Sequence, residues 1–351
     1  MRGKTRYAVL ATCLLALATG VTACGGDDEA SGDGGSEIKS DTVVFADYGG
    51  TTRIARSAAF LAPFSREFGV RPVFADADPA KLALFAESKS AEWDLIDLDS
   101  WDTVRFSEQG LLAKLPADVT RADLVPKEYR AYASGGYNAS VGFGYHTEGN
   151  ATPKTWADFF DLEKFPGKRA LPNFAYFQAE SALLADGVAC EDLYPLDLDR
   201  AFDKLDEIRD DVLFYDSFGQ AVQFLAQGSV SMALLANSRV QILKEQGLPV
   251  DFVWQDAFFQ WTAAAVPTHA PHADAAFALV DFMSQPENQA QMARLTKYGP
   301  MSSEAEKLLD QATLEQLPNA HLDTACEVDN AGLAANIDEY GKAYAEWLGE
   351  G

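Results

Sequence analysis

From residue 41 the chain alternates short β-branched runs with stretches of helical periodicity, and it does so in two successive series. That rhythm restricts the fold more than any other feature of the 351 residues. TVVFAD (Thr42–Asp47), VRPVFA (70–75) and DLIDL (94–98) read as strands. They are separated and followed by helical patterns over 52–68, where Pro63 should bend the helix, 79–88, and 101–110, which stops at Gly110. After a loop-rich section, strands at 140–146, 168–172, 211–215, 229–235, 249–254 and 262–267 are interleaved with helices at 155–161, capped by Thr155, then 175–186, ending at Gly187, 197–209, 220–227 and 238–246. The chain from Asp274 onward is mostly helical. Strand–helix alternation builds an open sheet covered by helices on both faces. Two such series in one chain predict an α/β fold of two lobes facing each other across a cleft, the place where pockets favour forming.

The amino end answers a different question, that of compartment. MRGKTRYAVLATCLLALATG places Arg2, Lys4 and Arg6 before an apolar run of export-signal length, too short for a stable bilayer span. Small residues precede Cys24 in Val21-Thr22-Ala23-Cys24, which resembles a bacterial lipobox, where the thiol is acylated and the chain is cut just before it. An ordinary signal with cleavage elsewhere is the alternative reading. Residues 1–23 are then a signal peptide and 24–40 a Gly-, Asp- and Ser-rich tether that cannot bury enough apolar area to fold. The expected location is the outer face of the cytoplasmic membrane, with the lipid on Cys24 as the sole prosthetic group and no metal or other cofactor.

The rest of the composition narrows the partners. A net charge of −25, with 53 acidic against 28 basic residues, repels nucleic acid and anionic lipid. It suits solubility, and more sharply a cationic ligand. Four histidines (His146, His269, His272, His321) lie scattered without metal-site spacing, and GxSxG, P-loop and full GxGxxG patterns are missing, so no catalytic residue is assigned. Discounting Cys13 and Cys24 leaves Cys190 and Cys326. Two thiols in an oxidising compartment are expected to pair, although spacing alone does not bring them within bonding distance; two separate buried thiols remain the other possibility.

In open α/β sheets ligands gather beyond the carboxyl ends of strands. That rule points to five stretches. Residues 47–52 follow the first strand, where Tyr48 and the hydroxyl of Thr51 or Thr52 stand, and 97–102 follow the third, with three carboxylates, Asp99 among them, and the indole of Trp101. In the second series they are 172–177 with Phe174 and Phe177, 236–239 with Asn237, and 256–261, from Asp256 to Trp261. A carboxylate beside an indole can hold an ammonium group by charge and cation–π contact. The crowded aromatics suggest a flat-walled pocket, though at helical spacing they are as readily core.

Four stretches in order, DTVVFADYGGTTRIARSAAFLAPFSREFGVRPVF, WDLIDLDSWDTVRFSEQGLLAKL, VSMALLANSRVQILKEQGLPVDFVW and QWTAAAVPTHAPHADAAFALVDFMSQPENQAQMARLTKYGP, resemble the polyamine-type extracellular solute-binding proteins, the spermidine/putrescine-binding family of ABC importers. The resemblance implies a type II, periplasmic-binding-protein-like fold: lobe 1 from 41–142 and 264–300, lobe 2 from 143–263 and 301–351, joined by crossing strands and closing over a small solute for a membrane permease. It implies a monomer, no enzymatic activity, and both cysteines in one lobe, which strengthens their expected pairing. Family ligand positions fall on Tyr48, Thr51, Asp99, Trp101, Trp261 and Tyr298 with residues of matching kind. The family's acidic and tryptophan positions of the second lobe fall instead on Phe174, Phe177, Ala236 and Ala263. A polyamine would lose several charge partners there, so a monoamine, quaternary amine or amino-acid-like solute is expected. An exported enzyme, and a sensor or adhesin, are the alternatives from other classes.

Overall fold

The computed structural model describes residues 38–120, 122–148 and 151–349; the leader, Cys24 and most of the tether lie outside the described residues. The first series runs β1 (Thr42–Asp47), α1 (Gly50–Arg56), a π-helical turn (Ser57–Leu61), α2 (Ala62–Phe68), β2 (Arg71–Asp76), α3 (Lys81–Ser88), β3 (Leu95–Asp99) and α4 (Ser100–Glu108). The second runs β4 (Asn138–His146), α5 (Trp156–Phe160), β5 (Arg169–Pro172), α6 (Gln178–Ala185), α7 (Leu198–Asp206), β6 (Val212–Tyr215), α8 (Phe218–Ala226), β7 (Met232–Ala236), α9 (Asn237–Glu245) and β8 (Val250–Ala265). Helices α10 (Ala273–Ser284), α11 (Pro286–Thr296), α12 (Ser303–Glu306) and α13 (Gln311–Leu314), strand β9 (Cys326–Glu327) and helix α14 (Asn330–Gly349) complete the chain. None of the helices among the described residues is long and apolar enough to cross a membrane.

Local chemistry explains several boundaries. Thr155 caps α5 reciprocally with Asp158, and Ser217 and Asp197 cap α8 and α7. Pro63, expected to bend the helix, sits in the first turn of α2 just after a π turn that widens the helix before it. The helix expected from 175 begins at Gln178 instead. The Gln178 side chain accepts from the Tyr176 N–H and donates to the carbonyls of Pro172 and Phe174, holding 174–177 as a tight non-helical loop that ends with Phe177 at φ 65°.

Among the described residues nine strands form one sheet, in the order β2-β1-β3-β8-β4-β7-β5-β6 with β9 on β8. β1, β2 and β3 are parallel, as the first series requires. The two strands expected at 249–254 and 262–267 are a single 16-residue strand, β8, which also absorbs the aromatic stretch between them. Its carboxyl end, Thr262–Ala265, pairs antiparallel with β3, and the part up to Trp261 pairs antiparallel with β4, with a register shift opposite Val141 and Phe143. One strand thus belongs to both halves of a two-lobed type II architecture.

Each half has its own core. Phe45, Phe60, Phe64, Leu95, Leu279 and Met283 fill one side of the first sheet, and Phe85, Trp93, Ile96 and Leu98 the other. Phe143, Trp156, Phe159, Phe258 and Tyr344 anchor the second half, where Cys190 and Cys326 are disulfide-bonded with Cα atoms 5.6 Å apart. Two details differ from the sequence reading. Residues 38–40 are part of the body: the backbone N–H groups of Lys39 and Ser40, and the Ser40 hydroxyl, all donate to Asp274, and Ile38 packs on the first core. Ala305, Leu309 and Leu317 pack on Ala290 and Ala293 of α11, so the segment through α12 and α13 rests on the first half's helix.

Candidate functional site

The ends of β1 and β3 are tied together beneath the cleft by a buried ion network. Arg56, 1 % exposed, donates to Asp47 (3.0 Å) and Asp97 (2.7 Å), while Arg53 donates to Asp47 from the other side. Asp47 also accepts from the Gly49 N–H, and Gly49 and Gly50 take φ of 72° and 66°, a turn that side chains with a Cβ rarely adopt. This turn delivers Tyr48 and Thr51 to the mouth of the cleft. Burial raises the Asp97 carboxyl; Arg56 opposes that and Asp47 adds to it.

Above this base lies an acidic cluster without enough cations. The Asp99 carboxylate has no hydrogen-bond or ion-pair partner among the described residues. Burial, and then the charges of Asp102 and Asp97, push it well above the usual carboxylate range. Asp102 is raised to about 6, chiefly by burial, with Arg105 opposing and Asp338 adding. Tyr48 is 55 % exposed, yet enclosing protein and then Asp99, Asp97 and Asp102 push its phenol up. A side chain open to water but surrounded by protein and by three carboxylates is one that stands in a cleft.

The facing wall is aromatic. Tyr176 packs edge-on against Phe177 (centroids 5.1 Å) and Phe218 (5.0 Å), and Phe174 meets Phe218 at 5.7 Å. Trp101, carried by α4, crosses to touch Phe177 at 5.7 Å, edge to face. Tyr298 stacks on Tyr137 (4.2 Å, 13°), with Asp97 and Asp99 both acting on the Tyr137 phenol. Burial raises the Tyr176 phenol first, Asp99 and Tyr298 raise it further, and Arg239 and a hydrogen bond from Gln260 oppose them. Asp99 from the first half and Arg239 from the second therefore both act on the Tyr176 phenol through their charge. Arg239 stacks over Phe218 at 4.7 Å and has no ion pair among the described residues. Together with Thr51, Thr52, Ser238 and Tyr298 it lines a narrow cavity of about 30 Å³ between the halves.

The residues named from sequence divide accordingly. Tyr48 and Asp99 come together, Thr51 and Tyr298 share the narrow cavity, and Trp101 and Phe177 meet in the wall between the halves. Phe177 is stacked on Phe258 (4.9 Å, 8°) and is core, while Phe174 belongs to the aromatic set behind Tyr176. Trp261, 2 % exposed, faces Val125, Ala133 and Met301 on the side of β8 opposite Gln260 and Thr262. Asn237 is fully buried: its amide donates to the carbonyls of Lys297 and Gln316, and its oxygen accepts from the Ser140 N–H. Asp256 sits at φ 54° where β8 shifts register, its backbone bonded to Thr324 and to the Trp156 indole. Tyr176, Arg239 and Gln260 lie inside stretches that the sequence singles out but are not the residues chosen within them, and Tyr137 lies outside all of those stretches. Three of these lie within two residues of a position that was named. Among the described residues there is no cluster of His, Cys, Asp and Glu able to hold a metal ion.

Residues 59–321 match the family described as bacterial extracellular solute-binding protein. The gamma-aminobutyric acid-binding protein of Pseudomonas aeruginosa is 29% identical over 326 residues, covering 89% of this chain and 92% of its own. The spermidine/putrescine-binding periplasmic protein of Escherichia coli is 22% identical over 275 residues, covering 71% of this chain and 75% of its own. Among solved structures, the Atu4243-GABA receptor superposes with a TM-score of 0.80 at 32% identity, covering 87% of this chain and 97% of that one.

Proposed function

Because the chain belongs to the bacterial extracellular solute-binding protein family, whose members capture small solutes for ABC importers rather than catalyse reactions, we propose that its solute is a short zwitterion, an amine at one end and a carboxylate at the other. The observation that carries this reading is a pair of charges of opposite sign, one from each half and neither with an ion-pair partner among the described residues: Asp99, and Arg239, which stacks over the Phe218 ring against which Tyr176 packs, both acting on the Tyr176 phenol. Asp99 takes the ammonium, with Tyr48 beside it. Arg239 takes the carboxylate, with the hydroxyls of Thr51 and Ser238 lining the same space. Gamma-aminobutyric acid, which two of the relatives are named for, has this form. A long polyamine fits less well, because Phe174, Phe177 and Ala263 offer no second carboxylate.

A cavity of about 30 Å³ is far smaller than the roughly 150 Å³ that takes a benzene-sized guest, so entry requires the lobes to part. Closure is then driven by contacts that exist only when both walls reach the same molecule. Lobe 1 is 41–142 with 264–300 and carries the segment to about 317 by the packing on α11; lobe 2 is 143–263 with the remainder. The leader and Cys24 support export and acylation, with a monomer presented at the membrane face; Cys24→Ser should release the protein into the medium.

Titration calorimetry tests the solute. 4-Aminobutanoate should bind more tightly than putrescine or butanoate, and Arg239→Met should weaken 4-aminobutanoate while leaving butylamine as it was. Tighter putrescine binding, indifferent to Arg239→Met, would overturn the reading.

A further inference from the structure

The acceptor inventory around Asp99 says more about the amine than its charge does. Gln260 is 4 % exposed on β8, and its Nε2 donates to the Tyr176 hydroxyl at 3.3 Å. Its Oε1 is buried and accepts nothing among the described residues. Thr262 is in register with Asp99 across β3 and β8. Gln260 lies two residues earlier on the same face of β8, the diagonal position, roughly 7–8 Å from Asp99 between Cα atoms. Tyr176, which Gln260 holds, is the residue on which Asp99 and Arg239 both act. An unmatched neutral acceptor therefore lies on the same face of the sheet as the unmatched carboxylate, one diagonal position away.

Resting on the reading of the solute as a zwitterion, we propose that Gln260 is a specificity-determining residue that selects primary over quaternary ammonium groups. A primary ammonium carries three N–H donors, and each must find an acceptor once water is excluded. Asp99 neutralises the charge and takes part of that demand; Gln260 Oε1 takes another N–H. A trimethylammonium group satisfies Asp99 by charge alone, brings no donor, and leaves the Gln260 oxygen buried without a partner. Sites built around a hydrogen bond reject analogues that lack it more strongly than sites built on shape. The solute class is thus a primary amino acid whose amine is distant from its carboxylate, and N-methylated betaines are excluded.

The test uses the whole protein and a ligand series, 4-aminobutanoate and its N-methyl, N,N-dimethyl and N,N,N-trimethyl derivatives, followed by calorimetry. Affinity should fall on methylation, with the trimethyl compound about 10- to 100-fold weaker than the parent. In Gln260→Met, 4-aminobutanoate should weaken about tenfold while the trimethyl compound is unchanged or improved; Gln260→Glu, which keeps an acceptor, should keep the preference. Equal affinity across the series in the unaltered protein, or equal weakening of all four ligands in Gln260→Met, overturns the proposal. The methylation series on the unaltered protein decides the matter even if a variant fails to fold. If none of the four binds and putrescine does, the zwitterion reading itself falls, and this inference with it.

Discussion

The two walls of the cleft solve their folding problems differently. The first-lobe wall keeps the Asp99 carboxylate without a hydrogen-bond or ion-pair partner among the described residues, next to an Asp102 that Arg105 holds. It stands on an ion-paired base, Asp47, Arg56 and Asp97, in which Arg56 Nε and Asp97 Oδ1 have no hydrogen-bond partner among the described residues. The second-lobe wall, Phe174, Tyr176, Phe177 and Phe218, is a packed aromatic layer whose polar groups, Arg239 and Gln260, emerge singly between rings. The difference teaches that charge unsatisfied in the fold has to be concentrated where a rigid network prevents it from collapsing onto a neighbour. Elsewhere burial is cheaper with rings than with ions.

The largest effects should separate foundation from surface. Arg56→Met leaves Asp47 and Asp97 buried around an apolar side chain and should cost about 3–5 kcal/mol in urea denaturation. Trp261→Ala empties a core site and should cost about 3–5 kcal/mol as well, with affinity spared in whatever folded protein remains; a large loss of affinity at unchanged stability would show that the indole is a wall residue after all. Next, Asp99→Asn should cost about 10- to 100-fold in affinity for an ammonium solute, about 1.4–2.7 kcal/mol, with no loss of thermal stability, since the carboxylate it removes has no partner. The pH dependence follows in sign. A carboxylate raised in the folded state is protonated as the pH falls through that raised range, so calorimetric affinity should decline toward acid. The unliganded protein should meanwhile gain stability on the same descent, because the folded state binds the proton more tightly than the unfolded chain. Asp99→Asn should flatten the affinity slope. The smallest effect is Tyr48→Ala: melting should move by no more than about 0.5 kcal/mol, and affinity should fall measurably.

Much of the first wall was legible because parallel strands place whatever follows them at one edge of the sheet; that rule picks out the stretches holding Tyr48, Thr51 and Asp99, and the family resemblance picks out the residues within them. The second wall was not, for two physical reasons. Side chains on β8 alternate faces, and which face meets the cleft depends on a pairing register that sequence does not display, so Trp261 was named where its neighbour Gln260 is the residue beside Tyr176. The helix pattern from 175 concealed a loop stabilised by Gln178, and Phe177 at its left-handed end turns inward while Tyr176 turns to the cleft. Asn237 looked like a cap and a ligand contact, but its amide is taken up by three backbone groups that no local pattern reveals. The paired cysteines and the overall two-series architecture were readable, since both depend on composition and periodicity rather than on register.

The 16-residue strand β8 limits what the molecule's two bodies can do to each other. β4 pairs with it up to Trp261 and β3 from Thr262, while the segment before β4 carries on along the first edge, where the Tyr137 and Ser134 carbonyls accept from the Thr262 and Ala264 N–H groups. Sliding one body past the other would strip hydrogen bonds along both ladders at once, whereas a small twist where they overlap loads only the few bonds around Trp261 and Thr262. Gly299 makes the neighbouring crossover at Asn138 equally tight, because a Cβ there would fall 1.9 Å from the oxygens of both Asn138 and Asn319. The polypeptide thereby selects rotation over translation, as an axle does for a wheel.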